Sequence, residues 1–162
     1  MQIMKIKSMY LMVLTLVTLA FVGCSKDDDP KPVNFKDHDI TATITVSKEF
    51  KKAEDDYFNL SISGGKENGT FVDWDINGTK VTDDIIQLGT DDFDGGKTIV
   101  LKSLEKFQFG SLKFGGFEFG STPYTVTWKI EDNGKVVDEG SKVIIKDADP
   151  QFLKMVSFNE VD

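Results

Sequence analysis

Tyr124-Thr125-Val126-Thr127-Trp128-Lys129-Ile130-Glu131-Asp132-Asn133-Gly134 is the stretch whose reading decides the fold. Tyr124, Val126, Trp128 and Ile130 alternate with Thr125, Thr127, Lys129 and Glu131, so an extended chain turns large apolar groups to one side and polar groups to the other. A helix would scatter the same residues around its circumference. Thr, Val, Ile and Trp also suit a half-buried pleated surface. Asp132-Asn133-Gly134 then supplies the residues of a tight hairpin turn, which sends the chain back through Lys135 to Asp138 and Val143 to Lys146. Gly140 falls between these two runs, where a bulge or bend is expected.

The same period of two recurs upstream. Ile40, Ala42, Ile44 and Val46 alternate with Thr41, Thr43 and Thr45, and Phe58, Leu60 and Ile62 repeat the pattern before a turn at Gly64-Gly65 and Asn68-Gly69. Phe71 to Ile76 carries Trp74 and ends at Asn77-Gly78, a second hairpin dipeptide. Ile85 to Leu88 and Thr98 to Leu104 read as short strands around the polar segment Gly89 to Lys97. No helix is readily placed. About seven short strands separated by Gly, Asn and Asp turns predict an all-β chain, an immunoglobulin-like antiparallel β-sandwich.

Tyr124 to Gly134 resembles the penultimate strand and turn of PKD-type and related immunoglobulin-like domains, and Thr70-Phe71-Val72-Asp73-Trp74-Asp75-Ile76 is similar to their tryptophan-bearing third strand. The resemblance covers about a quarter of the chain left after residues 1–23. It implies an extracellular sandwich used as a spacer or binding module and supplies no catalytic site. The disulfide of antibody-type domains is absent, since Cys24 is the single cysteine.

At the N-terminus, Lys5 and Lys7 precede the apolar run Met9 to Val22. At 14 residues this run is short of the roughly 20 that a spanning helix needs. A basic start, an apolar stretch and small residues describe a secretory signal peptide over 1–23. Phe21-Val22-Gly23-Cys24 resembles the lipobox of bacterial lipoproteins, in which the cysteine is acylated and becomes the new N-terminus; Phe21 stands where Leu is usual. A single cysteine in a secreted chain fits that use better than disulfide chemistry, the alternative being an unmodified thiol. Ser25-Lys26-Asp27-Asp28-Asp29 looks like the surface-export signal of Bacteroidota lipoproteins. The resemblance implies an outer-membrane protein facing the cell exterior, while a plain acidic linker with no sorting role is the alternative. Residues 24–37, with Pro30 and Pro32, read as a flexible tether, 38–147 as the sandwich and 148–162 as an added strand or a tail.

Composition excludes several functions. Removing residues 1–23 leaves 162 − 23 = 139 residues, enough for one domain. All 19 basic residues are lysines; without Lys5 and Lys7 they number 17 against 27 acids, a net charge of 17 − 27 = −10. Such a surface repels nucleic acid. Arginine's bidentate fork is missing for phosphate or carboxylate recognition. His38 is the one histidine, expected as a solvated loop residue, so Ser-His-Asp and Cys-His devices and histidine–cysteine zinc sites are improbable. The carboxylates show no spacing that marks a glycosidase pair. The chain is therefore expected not to be an enzyme.

Two segments are candidate sites. Asp91-Asp92-Phe93-Asp94-Gly95-Gly96 offers closely spaced carboxylates before turn-forming glycines, as a calcium loop requires, with Asp83 and Asp84 as further ligands; a solvated acidic turn is the alternative. Phe107 to Gly120 holds Phe107, Phe109, Phe114, Phe117 and Phe119, five of the chain's 13 phenylalanines. A hairpin through its glycines would stack Phe107, Phe109, Phe117 and Phe119 on one side. Turned inward this is core; turned outward it is a binding patch for glycan, lipid or protein. Two functions remain: a membrane-anchored, non-catalytic binding module for glycan or a surface protein, or an accessory structural lipoprotein of an envelope assembly with no ligand pocket. An exposed aromatic row favours the first, and an uncharged open strand edge the second.

Overall fold

The computed structural model describes residues 34–147 and 151–161. They form an antiparallel β-sandwich of ten strands: β1 Ile40–Val46, β2 Tyr57–Gly65, β3 Trp74–Ile76, β4 Thr79–Val81, β5 Ile86–Leu88, β6 Thr98–Ser103, β7 Phe109–Phe117, β8 Tyr124–Asp132, β9 Lys135–Ile144 and β10 Phe152–Phe158. One sheet has the order β4-β3-β6-β1-β8-β9 and the other β10-β7-β2-β5. The expected sandwich is present, with ten strands where about seven are expected. The count rises by three because Thr79–Val81 makes a small hairpin with β3, Phe109–Phe117 is a strand of the second sheet, and the C-terminal segment joins that sheet beside it. Among the described residues no helix is long and apolar enough to cross a membrane.

Alternation builds the core as the sequence predicts. Ile40, Ala42, Ile44 and Val46 are buried on central β1, facing Phe58, Leu60 and Ile62 of β2 and Leu112 and Phe114 of β7. Trp74, Tyr124, Val126 and Ile130 complete the same cluster. Each buried Leu, Ile, Val or Phe contributes about 1.5–3 kcal/mol relative to an exposed one. The two Asn-Gly pairs that close hairpins adopt positive φ at both residues, 51° and 86° at Asn77-Gly78 and 50° and 75° at Asn133-Gly134, whereas at Asn68-Gly69 only the glycine does. These turns match strand twist and fix the β3–β4 and β8–β9 registers.

Gly140 does not interrupt the last hairpin. β9 is continuous, and the register shift lies opposite Ile130/Glu131, where Val137 is the extra residue between Val136 and Asp138. Gly140 instead pairs with Trp128, and a Cβ on it would stand 2.5 Å from the indole Cζ2. Glycine lets the ring lie across β9. The indole Nε1–H donates to Asp138 Oδ1 at 2.7 Å, Asp138 Oδ2 pairs with Lys154 Nζ at 2.6 Å, and that ammonium sits 5.4 Å from the ring centroid. This cluster links β8 and β9 of one sheet to β10 of the other.

The body also reaches further toward the N-terminus than expected. Phe35 bridges Val161, and Lys36 N–H donates to the Glu160 carbonyl, so residues 35–37 belong to the sandwich rather than to a tether. His38 corrects the expectation of a solvated histidine. It is 2% exposed, lies between Phe107 and Phe158 with ring centroids 5.7 and 5.6 Å away, and places Nδ1 2.9 Å from Asp132 Oδ2. Asp132 Oδ1 accepts from Asp39 N–H at 3.1 Å and from the Asn133 amide at 2.9 Å. One carboxylate thus fastens the start of the body to the β8–β9 turn.

Candidate functional site

The aromatic segment folds otherwise than as a hairpin. Phe109–Phe117 is one strand, because β7 finds β2 on one side and β10 on the other and its glycines are needed inside the ladder rather than in a turn. A Cβ on Gly110 would meet the Ser63 carbonyl, and one on Gly116 the Tyr57 carbonyl and the Tyr124 hydroxyl. The five phenylalanines therefore separate. Phe107 and Phe114 are fully buried and belong to the core, which removes them as ligand contacts. Phe109 lies at one end of the strand, edge-on to Phe35 at 4.8 Å. Phe117 and Phe119 lie at the other end.

There Phe117 meets a residue that the sequence did not single out. Tyr57 pairs with Phe117 across β2 and β7, and the two rings stack at 4.7 Å with 14° between their planes. Phe119 packs edge-on to Phe117 at 4.8 Å. Tyr57 is 39% and Phe119 55% exposed, so Tyr57, Phe117 and Phe119 form an aromatic ridge at the margin of the four-stranded sheet. Its backbone is held from inside. The Tyr124 hydroxyl donates to the Tyr57 carbonyl at 2.9 Å, and burial, with the charges of Asp56 and Glu118, holds that hydroxyl well above its ordinary pKa.

Next to the ridge lies the outer face of the sheet. The registers set Asn59 beside Gly115, Ser61 between Gln87 and Lys113, and Ser63 beside Ser111. Tyr57, Asn59, Ser61, Gln87 and Lys113 line an open trough of about 450 Å³. It combines an aromatic ring with amide, hydroxyl and ammonium groups, a set that stacks on and hydrogen-bonds to a polyhydroxylated ligand. The clue in the sequence was the polar half of the alternation in β2, Asn59, Ser61 and Ser63, but its partners lie some fifty residues away on β7.

On the inner side of the ridge, Glu118 is 3% exposed, and its Oε1 has no hydrogen-bond partner among the described residues. It lines a cavity of about 110 Å³ with Phe117, Phe119, Lys142 and Phe152.

The acidic loop is arranged differently from a metal cradle. Thr90–Phe93 forms one helical turn that buries Phe93 against Phe58. Asp91 pairs with Lys52, Asp92 Oδ2 accepts from Gly89 N–H at 2.8 Å, and Asp94 Oδ1 accepts from Lys52 N–H at 2.9 Å. Each carboxylate of Asp91, Asp92 and Asp94 has its own local partner. Asp83 and Asp84 lie exposed, and no group of three metal-ligating side chains stands among the described residues. Cys24 and Ser25, Lys26, Asp27, Asp28 and Asp29 lie outside the described residues.

Solved proteins share this architecture. A protein from Parabacteroides distasonis, determined by NMR in a calcium-bound form, is similar over 82% of this chain and 99% of its own, with a TM-score of 0.56 and 14% identity. A DUF4425 family protein from Bacteroides ovatus is similar over 78% of this chain and 100% of its own, with a TM-score of 0.56 and 11% identity. A domain of unknown function, DUF4425, from Bacteroides vulgatus is similar over 78% and 99%, with a TM-score of 0.55 and 15% identity. At such identities the likeness is one of fold alone. No protein-family model matches the sequence, and no curated protein matches it.

Proposed function

We propose that this chain is a lipid-anchored protein of the outer membrane, facing the cell exterior, that acts as a non-catalytic binding module for glycan. The observation that carries the binding role is the Tyr57–Phe117 stack beside Asn59, Ser61, Gln87 and Lys113 on an open sheet face. A pyranose ring lies its C–H face on an exposed tyrosine, while amides and hydroxyls take its oxygens. The lipobox-like residues ending at Cys24 and the acidic run Ser25 to Asp29 support the anchor and the address. The alternative is a structural lipoprotein joined to an assembly by its sheet edge: edge strand β9 opposes strand addition through Lys135, Asp138, Glu139 and Lys142, whereas edge strand β10, with exposed Leu153 and Met155 and Lys154 paired to Asp138, is the edge that supports it.

The test is a panel of glycans presented to the full-length chain and to Tyr57→Ala. Binding weakened about tenfold or more by the substitution, with an unchanged melting temperature, is the expected result. Equal binding by both proteins refutes the assignment of the face. Protease shaving of intact cells, with Asp27, Asp28 and Asp29 present or replaced by alanine, tests the address; protection of both forms refutes surface display.

Calcium at Asp91, Asp92 and Asp94 is a separate proposal, supported by loop composition and by the calcium-bound form of the P. distasonis protein. It requires Asp91 to leave Lys52. Titration with calcium, followed through the amide resonances of Gly89 to Gly96, shifts them if the loop closes on the ion; unmoved resonances at millimolar calcium refute it.

A further inference from the structure

The two outer faces of the sandwich handle charge differently. On the six-stranded sheet, opposite charges stand across from one another: Asp75 beside Lys102, and Lys129 beside Glu139. Lys129 also bonds Glu131 at 2.9 Å. Threonines of β1 separate these pairs, and the face is charge-balanced within itself.

The four-stranded sheet has no such compensation. Its outward strand positions fall into cross-strand rows: Tyr57 with Phe117; Asn59, Gly115 and Leu153; Gln87, Ser61, Lys113 and Met155; then Ser63, Ser111 and Ser157. None of these is Asp or Glu, in a chain with 27 acidic residues and a net charge of −8. Lys113 is the single charge in the rows. Its cross-strand neighbours are Ser61 and Met155, and it forms no ion pair among the described residues. An acidic protein repels an acidic ligand over most of its surface, so such a ligand is best received where carboxylates are missing and an ammonium stands free.

We infer that the face selects acidic glycans, whose carboxylate or sulfate group seats on Lys113 while a neighbouring sugar stacks on Tyr57. This rests on the glycan-binding reading above and names its substrate class. The amide of Asn59 stands in the row between the two anchors and that of Gln87 in the row of Lys113, across Ser61, and both take ring hydroxyls. The serine row beyond Lys113 continues the polar track along the chain of sugars. Lys113 lies four residues along β7 from Phe117, about 13 Å at the rise of an extended strand. The anchors are therefore too far apart for one sugar, and the site reads an oligosaccharide.

The experiment uses pairs of polymers that differ in charge and not in backbone: polygalacturonate against its methyl ester, and dextran sulfate against dextran. Each is presented to the full-length chain, to Lys113→Gln and to Tyr57→Ala, at low and at high salt. The expected result is a preference for at least one acidic member of about threefold to fivefold per engaged group, the size of one solvent-exposed charge contact. That preference disappears in Lys113→Gln and fades with salt, while Tyr57→Ala weakens binding to charged and neutral polymers alike. The carboxylate and sulfate arms show which anion is taken. Binding that depends on Tyr57 but is equal for acidic and neutral members, and unchanged in Lys113→Gln, overturns the acidic specificity and leaves the glycan reading standing. Binding to none of the four polymers, or binding indifferent to Tyr57, overturns both.

Discussion

Replacing Tyr124 by phenylalanine tests the connection between the core and the aromatic ridge. Tyr124 is fully buried, and its hydroxyl makes one well-formed hydrogen bond, 2.9 Å to the Tyr57 carbonyl. Tyr124→Phe keeps the ring and its edge-on contact with Phe50 at 5.0 Å. The loss is the bond and an acceptor left unpaired, about 1–2 kcal/mol. In a domain of this size that lowers the melting temperature by about 3–6 °C. Alkaline pH isolates the hydroxyl further. Its pKa is raised in the folded protein by burial, then by the charges of Asp56 and Glu118, so the folded state holds the proton after the unfolded chain has released it near pH 10. A raised folded pKa gives stability that is complete below the unfolded value and is lost as pH rises above it, here by about 1.4 kcal/mol at pH 11. Lys36, Lys51, Lys52 and Lys80, raised chiefly by hydrogen bonds to carboxylates, lose stabilisation in the same window, but equally in both proteins. Urea unfolding of wild type and Tyr124→Phe from pH 8 to 11 should therefore converge, the wild type losing its advantage above pH 10. Parallel curves would refute the buried, proton-holding hydroxyl.

Three further substitutions separate core from surface. Phe114→Ala empties a fully buried site and should cost about 3–5 kcal/mol, whereas Phe117→Ala on the half-exposed ridge should cost far less and show its effect in ligand binding; denaturant midpoints compare the two directly. Gly140→Ala drives a methyl group into the Trp128 indole, and the displaced ring loses its bond to Asp138 and its contact with Lys154; an altered tryptophan emission and a loss of about 1–3 kcal/mol are expected, and unchanged fluorescence and stability would contradict the packing. Asp132→Ala leaves His38 Nδ1, Asp39 N–H and the Asn133 amide without their acceptor, a loss of about 2–4 kcal/mol with hydrogen exchange rising first at residues 36–40; uniform exchange across the body would show that this carboxylate does not fasten the start of the fold.

Local pattern made the strands legible and left their partners hidden. Tyr124 to Asp132 and Ile40 to Val46 are fixed by alternation alone, and the hairpin turns at Asn77-Gly78 and Asn133-Gly134 fall where their dipeptides put them. The hairpin expected between Phe107 and Phe119 failed because glycine has two uses. It permits turns, and it also permits a close approach of backbones, which Gly110 and Gly116 make against β2. Gly140 was misread for the same reason, as a bend where a tryptophan needed room. His38 looked solvated because Asp132 and Phe158, which bury it, are distant in the chain and meet it only after β8 and β10 are placed. The candidate site was half visible: Phe117 and Phe119 carried a signal, but Tyr57 and Lys113 gain their meaning from the β2–β7 register, a contact across some fifty residues.

That register also fixes the geometry of the proposed binding face. Asn59, Ser61, Lys113 and Phe117 stand on strands hydrogen-bonded along their length, and Tyr124 ties the end of β2 to the core, so their spacing is set before a ligand arrives. Holding groups on rigid strands reduces the ordering cost of binding and keeps affinity available to weak individual contacts. The buried acid nearest the ridge, Glu118, follows the end of β7 and lines the separate inner cavity. On the proposed reading, a sugar lying along the rows of the outer face meets donors, acceptors and a single cation on one pleat.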